Sequence, residues 1–345
     1  MTVGLADRGP QGPNVAILGA TGAVGRQMMQ CLQERHFPLG ELRLLASARS
    51  AGQQMCWNGR MITIQEATPE SFEGIDLVLG AAENDVAERL LPHAVKAGAV
   101  VVDNSSAYRL DPEVPLVVPE VNPEDVAWNT GIIANPNCST IIALVCLAPL
   151  DRAAGLNRVV CSTYQAASGA GMPGIEQLET ENAAIVEGRK VPAPRVFPYQ
   201  LAYNLIPQIG GFDAAGYTSE EMKMQNEGRK ILHNDGLAVN CTCVRVPVAR
   251  SHSESITVEL DSPLTPDEAR VVLAAAPGVR VVDDPSCREY PMPLDTSEQD
   301  LVYVGRIRED ISAPEGTNGL TFWCCGDQIR KGAATNAVQI AELLL

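Results

Sequence analysis

Residues 14–25 read NVAILGATGAVG, a short β-favouring apolar run that ends on a glycine-rich turn and passes into a helical pattern over 24–35. Strand, turn and helix in this order form the context that a dinucleotide-binding fingerprint requires. Gly19 and Gly22 let the backbone turn tightly and approach a pyrophosphate held at the helix N-terminus, while Gly25 permits close packing of helix on strand. An ordinary strand-turn-helix can carry the same glycines, so the motif draws its weight from what surrounds it.

Outward from this stretch, residues 42–46 form a second β-type run, and others follow at 75–79, 99–102, 116–118 and 132–134, with helical patterns such as 85–97 between some of them. Apolar strands alternating with helices predict an open parallel sheet covered on both faces, an α/β domain of Rossmann type. After Cys138 the pattern changes. Residues 157–165, 238–248 and 255–260 alternate apolar and polar positions, as in an antiparallel or mixed α+β sheet with one face covered by helices. Two helical patterns, 174–186 opened by Pro173 and 219–233, lie among these strands, and the chain ends in the helix signal AATNAVQIAELLL. A chain of 345 residues also exceeds the size at which one core usually keeps growing, so two domains are expected.

The first dozen residues lack the basic start and apolar stretch of a secretory signal and read as a flexible polar leader, which points to the cytoplasm. No apolar run is long enough to span a bilayer. The 10 cysteines are scattered without a CxxC pair, and only 4 histidines accompany them, so reduced thiols and no metal site are expected. A formal net charge of -16 disfavours nucleic acid and anionic membranes as partners. If the substrate is anionic, the few Arg and Lys residues must be concentrated at its site.

At the end of the second strand, where an NAD enzyme places an acidic residue for the ribose hydroxyls, the chain reads Ser47, Ala48, Arg49, Ser50. Arg49 between two hydroxyls suits the ribose phosphate that distinguishes NADP, which a carboxylate would repel. A single arginine after a strand is also a common surface feature.

The run IIANPNCST places Cys138 between a strand and an apolar helical segment, 141–147. A thiol at a helix N-terminus sits in positive potential, which favours the nucleophilic thiolate, and Asn137 with nearby backbone N–H groups could stabilise an oxyanion. Buried cysteines elsewhere pack as small hydrophobes. The segment RVPVARSHSESI offers Arg245 as a carboxylate clamp and His252 as an acid/base. Their odd separation aims them at opposite faces of an uninterrupted strand, so a bend near Pro247 is needed for both to reach one site. In YTSEEMKMQNEGRKIL, Glu221 and Lys223 are available, but Thr218 and Glu221 also match a capping box. Spacing alone does not decide between these uses.

The ordered set GATGAVG, SARSAG, NPNCST, YQAASGAG, EEMKM, RVPVARSHSES and KGAATNAVQIAE resembles the aspartate-semialdehyde dehydrogenase family over nearly the whole chain after the leader. The resemblance implies a fold like that of the glyceraldehyde-phosphate dehydrogenases: an NADP-binding domain of residues 1–137 completed by 327–345, and a catalytic and dimerisation domain of residues 138–326 that makes a homodimer. It implies Cys138 as thiol nucleophile, Gln165 as a substrate-holding residue and His252 as acid/base. Arg245 would grip the substrate α-carboxylate, Glu221 its amino group, and Arg109 with Lys223 the departing phosphate, with Asn137 nearby. Thr21, Gly22, Ala23, Val24, Arg49, Ser168, Gly169 and Gln328 would contact the cofactor. One departure is that GAAENDVAER stands where such enzymes often carry a Ser/Gly-rich loop.

The expected reaction is NADPH-dependent conversion of L-aspartyl-4-phosphate to L-aspartate 4-semialdehyde through a Cys138 thioester, on the route to lysine, methionine and threonine. The alternatives are a reductase of another acyl phosphate or thioester, such as N-acetylglutamyl phosphate or malonyl-CoA, and a noncatalytic nucleotide-binding relative.

Overall fold

The computed structural model describes Leu5 and residues 12–345. It divides into two compact units, residues 1–137 with 333–345 and residues 138–332. Sequence reasoning set the return of the chain at 327. Residues 327–332 instead belong with the second unit, because their side chains are fastened there: Asp327 to Arg250, Gln328 to Ser168, and Arg330 to Asp300.

In the first unit β1 (Val15–Leu18) leads through the glycine turn into α1 (Ala23–Glu34) and β2 (Leu42–Ala46). A small hairpin, β3 (Gln54–Trp57) and β4 (Arg60–Thr63), precedes the short β5 (Gln65–Glu66). Then come β6 (Leu77–Gly80), α2 (Asn84–Lys96), β7 (Val100–Asp103) and β8 (Ile132–Ala134). The sheet is parallel in the order β5-β2-β1-β6-β7-β8. Its central strands β1, β6 and β7 are buried along their whole length because both faces are covered, whereas the edge strand β5 is polar and exposed. Ile17, Leu44, Leu79 and Val102 pack with Met28 and Leu32 of α1 and with Val338 of the C-terminal helix (Thr335–Glu342), whereas Leu18, Leu45, Val78 and Val101 pack with Leu90 and Leu91 of α2.

One expected strand fails here for a local reason, and one residue of the expected leader is held by a backbone hydrogen bond. Residues 116–118 make only a single bridge, Leu116 to Ala134, instead of a strand. Val117 N–H donates to Ala134 O of β8 at 3.1 Å, and on the other side Asn122 stands in for a further strand: its Oδ1 accepts from Val118 N–H and its Nδ2 donates to Leu116 O, both at 2.9 Å. In the expected leader, Leu5 is buried and its N–H donates to Leu344 O at 2.8 Å. Residues 1–4 and 6–11 of that leader lie outside the described residues.

The second unit opens with α3 (Cys138–Ala154), longer than the expected 141–147 and buried along nearly its whole length. After it come β9 (Leu156–Gln165), α4 (Gly171–Val186), α5 (Ser219–Ile231), β10 (Ala238–Arg245), β11 (His252–Leu260), α6 (Pro266–Ala275), β12 (Val279–Val281), β13 (Val302–Glu309) and β14 (Asn318–Gly326). The sheet order is β10-β9-β11-β14-β13-β12; the pairs at its two edges are parallel and the central ones antiparallel. One face buries Cys161, Thr163 and Gln165 of β9, while Val160, Ser162 and Tyr164 on the other face are half-buried, the alternation expected of a sheet covered by helices on one side. β10 stops at Arg245, short of the expected 248, because Pro247 has no N–H to give a ladder. Among the described residues, which include all ten cysteines, no disulfide forms, and no helix is long and apolar enough to cross a membrane.

Candidate active site

In the first unit the glycine turn fits a dinucleotide. Gly19 has φ +85°, and a Cβ on it would lie 2.4 Å from Ala81 O. A Cβ on Gly25 would lie 2.4 Å from Gly19 O, so α1 packs against the turn only because that residue is glycine. At Gly22, by contrast, a Cβ would meet nothing closer than Gly19 O at 3.4 Å. Gly22 caps α1 without a side-chain acceptor and no acidic residue follows in the first turn, so the helix N-terminus is left to an anion. Thr21, Ala23 and Val24 are partly exposed along the same turn. Past the end of β2, Ser47, Arg49 and Ser50 lie in a turn closed by Ser50 N–H to Ser47 O at 2.9 Å, with Ser47 and Arg49 exposed and no carboxylate among them. In the stretch GAAENDVAER, which enters α2 rather than forming a loop throughout, Asn84 at the start of the helix is tied to Ser106 through both its Oδ1 and its Nδ2.

Arg109, also in this unit, is buried, and its guanidinium is aimed by two carbonyls: Nε donates to Asn135 O at 2.9 Å and Nη2 to Asn104 O at 2.7 Å. Asn137, the last residue before the second unit, is buried.

In the second unit Cys138 is the first residue of α3 and half-buried, at the positive end of the helix, where a thiolate is favoured over a thiol. A Cβ on Gly332 would come within 2.9 Å of Cys138 Cβ, so only glycine lets the returning chain pass there.

Arg245, Gln165 and His252 form a row across three neighbouring strands. Arg245 closes β10 in register with Gln165, and the pairing of Ser253 with Tyr164 brings His252, the first residue of β11, to the other side of Gln165. Their odd sequence separation is therefore no obstacle. The chain leaves one strand at Arg245 and enters another at His252 through a turn in which Ser251 adopts φ +76°. The two side chains meet at Gly169, where a Cβ would lie 2.6 Å from Arg245 Nη1 and 3.1 Å from His252 Cε1.

The backbone of Ala166 holds both, through the two peptide groups that flank its Cα. Its carbonyl accepts from Arg245 Nη1 at 2.6 Å and its N–H donates to His252 Nδ1 at 3.1 Å. The Arg245 guanidinium also lies 5.5 Å from the centre of the Phe197 ring. Burial lowers the basicity of Arg245, opposed by the nearby Cys138 and Glu220. His252 is fully buried, and burial together with Arg245 brings its pKa down to about 3. Its Nε2 is buried without a hydrogen-bond partner among the described residues.

The acidic residue facing this row is Glu220 rather than the expected Glu221. Both oxygens of Glu221 are committed to the backbone: Oε2 accepts from Thr218 N–H at 2.7 Å in the capping box that starts α5, and Oε1 accepts from Cys243 N–H of β10 at 3.0 Å. Glu220 accepts from Gln165 Nε2 at 3.3 Å and pairs with Lys223 Nζ at 2.9 Å. Gln165 Nε2 also donates to Thr163 Oγ1 at 3.2 Å. Of the expected cofactor contacts in this unit, Ser168 and Gln328 are hydrogen-bonded to each other, and Gln328 Oε1 accepts from Ser251 N–H at 2.9 Å.

Sequence reasoning missed Glu220, Ala166, Thr163 and Phe197. Glu220 was open to discovery, because recognising the Thr218 capping box removes Glu221 from the candidates. Ala166 acts through its backbone, and no side-chain pattern marks it.

Comparison with known proteins gives a consistent placement. A model of the semialdehyde dehydrogenase NAD-binding domain matches residues 14–128, and one of the semialdehyde dehydrogenase dimerisation domain matches residues 147–331. The chain is 52% identical over 338 residues to the aspartate-semialdehyde dehydrogenase of Aquifex aeolicus (strain VF5), covering 97% of this chain and 98% of that one. It is 48% identical over 342 residues to that of Bacillus subtilis (strain 168), with coverage of 97% and 98%. Aspartate semialdehyde dehydrogenase II from Vibrio cholerae, solved in complex with ASA, superposes with a TM-score of 0.93 at 44% identity, covering 97% of this chain and 98% of that one. The enzyme of Candida albicans, solved with NADP, has a TM-score of 0.74 at 26% identity, with coverage of 96% and 98%. The chain belongs to the aspartate-semialdehyde dehydrogenase family of oxidoreductases.

Proposed function

We propose that this chain reduces L-aspartyl-4-phosphate to L-aspartate 4-semialdehyde with NADPH, through a thioester on Cys138, and so supplies the lysine, methionine and threonine branches. The observation that carries the proposal is the buried row of Arg245, Gln165 and His252 in the unit that Cys138 opens, with the Glu220 carboxylate hydrogen-bonded to it. An amino acid with a reactive 4-carbonyl presents a carboxylate, an ammonium and an electrophilic carbon, and this set answers each of them. Arg245 pairs with the α-carboxylate, Glu220 with the ammonium in place of Glu221, and Cys138 attacks the carbonyl. Arg109 and Lys223 bind the departing phosphate, Gln165 orients the acyl group, and Asn137 steadies the carbonyl oxygen. Local cations are needed for a dianionic leaving group in a chain of net charge -16.

The dinucleotide supplies hydride when bound. Gly19, Thr21, Gly22, Ala23, Val24 and Gly25 would hold its pyrophosphate, and Ser47, Arg49 and Ser50 its ribose phosphate, where the absence of a carboxylate favours NADP over NAD. By the same family resemblance Ser168, Gly169 and Gln328 would lie near its nicotinamide end. We assign the chain to the cytoplasm as a homodimer formed through its second unit, which presents Met172, Tyr199, Tyr203, Leu205 and Phe212 as exposed large apolar side chains.

The test is a paired assay of aspartate semialdehyde and phosphate with NADP or NAD. Phosphate-dependent reduction of NADP in preference to NAD is expected. Turnover of N-acetylglutamate semialdehyde, or of malonate semialdehyde with CoA, indifferent to Glu220→Gln, would instead assign the chain to another acyl reductase. No turnover with any of them would leave a nucleotide-binding relative.

A further inference from the structure

Between α4 and α5 the chain runs outside helix and strand over residues 190–205. Such a segment has backbone N–H groups that no ladder satisfies, and burying them unpaired is costly. Two side chains of α4 take them up. Gln177 Oε1 accepts from Arg195 N–H at 3.0 Å, Val196 N–H at 2.7 Å and Phe197 N–H at 3.4 Å. Glu181 Oε2 accepts from Leu201 N–H and Ala202 N–H, both at 2.8 Å, and its Oε1 accepts from Gln177 Nε2, also at 2.8 Å. The pattern is forced. Backbone N–H groups need the oxygen of Gln177, so its NH2 turns to Glu181, and a carboxylate is the partner that offers acceptors alone. Glu181 is 1% exposed, so these three donors meet its carboxylate inside the fold.

The segment held in this way leads to Arg245 at both ends. Ile206 pairs with Arg245 as an isolated antiparallel bridge, Ile206 N–H to Arg245 O at 3.0 Å and Arg245 N–H to Ile206 O at 2.9 Å. The Phe197 ring backs the guanidinium, its centre 5.5 Å from the Arg245 Cζ. Between these points Phe197, Leu201, Ala202 and Ile206 pack with Ala167 and Leu178 in one apolar cluster. Residue 174 of α4 has to be glycine for the helix to lie so close, because a Cβ there would be 2.3 Å from Ala167 O and 3.1 Å from Phe197 Cζ. Ala166 O fixes one N–H of the guanidinium, and the aromatic ring limits how the rest of the group can swing.

We propose that Glu181, acting with Gln177, is a positioning residue for the substrate: it fixes residues 195–206 so that Phe197 holds the Arg245 guanidinium in the orientation that receives the α-carboxylate. This rests on the reading of Arg245 as the carboxylate clamp. Glu181 itself touches no substrate. An arginine without this backing keeps its charge but samples more orientations, of which few suit a two-pronged bond to a carboxylate. The loss falls equally on bound substrate and transition state, so KM for aspartate semialdehyde rises while kcat changes little.

The test is steady-state kinetics of the intact chain with aspartate semialdehyde, phosphate and NADP, with thermal unfolding followed in parallel. In Glu181→Gln the new NH2 must face either Gln177 NH2 or the N–H groups of Leu201 and Ala202, so the pattern is lost. KM for aspartate semialdehyde is expected to rise about ten-fold, with KM for NADP unchanged. Exchanging the pair, Gln177→Glu with Glu181→Gln, gives every donor an acceptor again and should bring KM back to within about two-fold of wild type. Phe197→Leu keeps an apolar side chain in the cluster but removes the aromatic face. It should raise the same KM by about 3- to 30-fold, and it decides the matter where a Glu181 variant fails to fold. In an Arg245→Lys chain, whose KM is already raised, Glu181→Gln should add little, because both act through one guanidinium. Wild-type KM in Glu181→Gln or in Phe197→Leu, an equal further rise in the Arg245→Lys background, or an exchange no better than Glu181→Gln alone would overturn the proposal. An Arg245→Lys chain with wild-type KM would instead sink the clamp reading itself, and the proposal with it.

Discussion

Glu220 and Glu221 are neighbours on α5, yet their carboxylates are committed to different partners: Glu220 to Gln165 and Lys223, Glu221 to the backbone N–H groups of Thr218 and Cys243. One residue along a helix turns the side chain by about 100°, enough to move a carboxylate from a site to a scaffold.

These two residues predict opposite phenotypes. Glu220→Gln should raise KM for aspartate semialdehyde by roughly ten- to hundred-fold, the scale of one charge-assisted hydrogen bond, with little change in thermal unfolding. Glu221→Ala should cost about 1–3 kcal/mol of stability through the lost cap and the stranded Cys243 N–H, read by denaturant unfolding, with a smaller effect on KM.

Gly169 keeps Arg245 and His252 together. A Cβ 2.6 Å from Arg245 Nη1 must displace a guanidinium that Ala166 O already fixes. Gly169→Ala should therefore lower kcat/KM by about 10²-fold, the cost of misplacing a substrate clamp by an ångström, while calorimetry shows a near-normal Tm.

Arg49 is exposed in a turn without acidic residues. Arg49→Ala should reduce the preference for NADP over NAD by about 10- to 100-fold in kcat/KM, most of it as a higher KM for NADP. An unchanged ratio would remove Arg49 from the cofactor site.

Much of the first unit was legible because its central strands are buried on both faces, so Val15–Leu18 reads as an unbroken apolar run and Leu42–Ala46 as one interrupted only by Arg43. The false strand at 116–118 is equally apolar; what decides against it is the Asn122 side chain, a competition that hydropathy does not register. In the second unit β13 and β14 escaped notice. The alternation of buried Leu320, Phe322 and Cys324 with half-buried Thr321 and Trp323 was there to be read, but the apolar bulk of Trp323 blurs it. At the site, residue types were legible and partners were not. Arg245 and His252 come together through strand pairing with β9, and what holds them is the backbone C=O and N–H of Ala166, a residue whose side chain is only a methyl.

Glu254 predicts a pH dependence of stability. Burial raises its pKa well above 4.5 in the fold. A carboxyl whose folded pKa is raised contributes stability that is fully present below its unfolded value, near 4.3, and is lost as pH rises through the folded value. Glu254→Gln, which keeps the shape without the charge, should therefore gain stability relative to wild type as pH rises from about 5 to 8, measured by urea unfolding across that range. A gain that is the same at every pH would mean that Glu254 is ionised in the native state.

The central claim, that the chemistry passes through one sulfur, is tested most directly by mass spectrometry of the chain mixed with L-aspartyl-4-phosphate in the absence of dinucleotide. The expected result is a single aspartyl adduct, labile to hydroxylamine, on the peptide that carries Cys138, formed with release of an equal amount of phosphate. Phosphate-dependent turnover by a chain on which Cys138 carries no adduct, or carries it no more than the other cysteines do, would contradict the account.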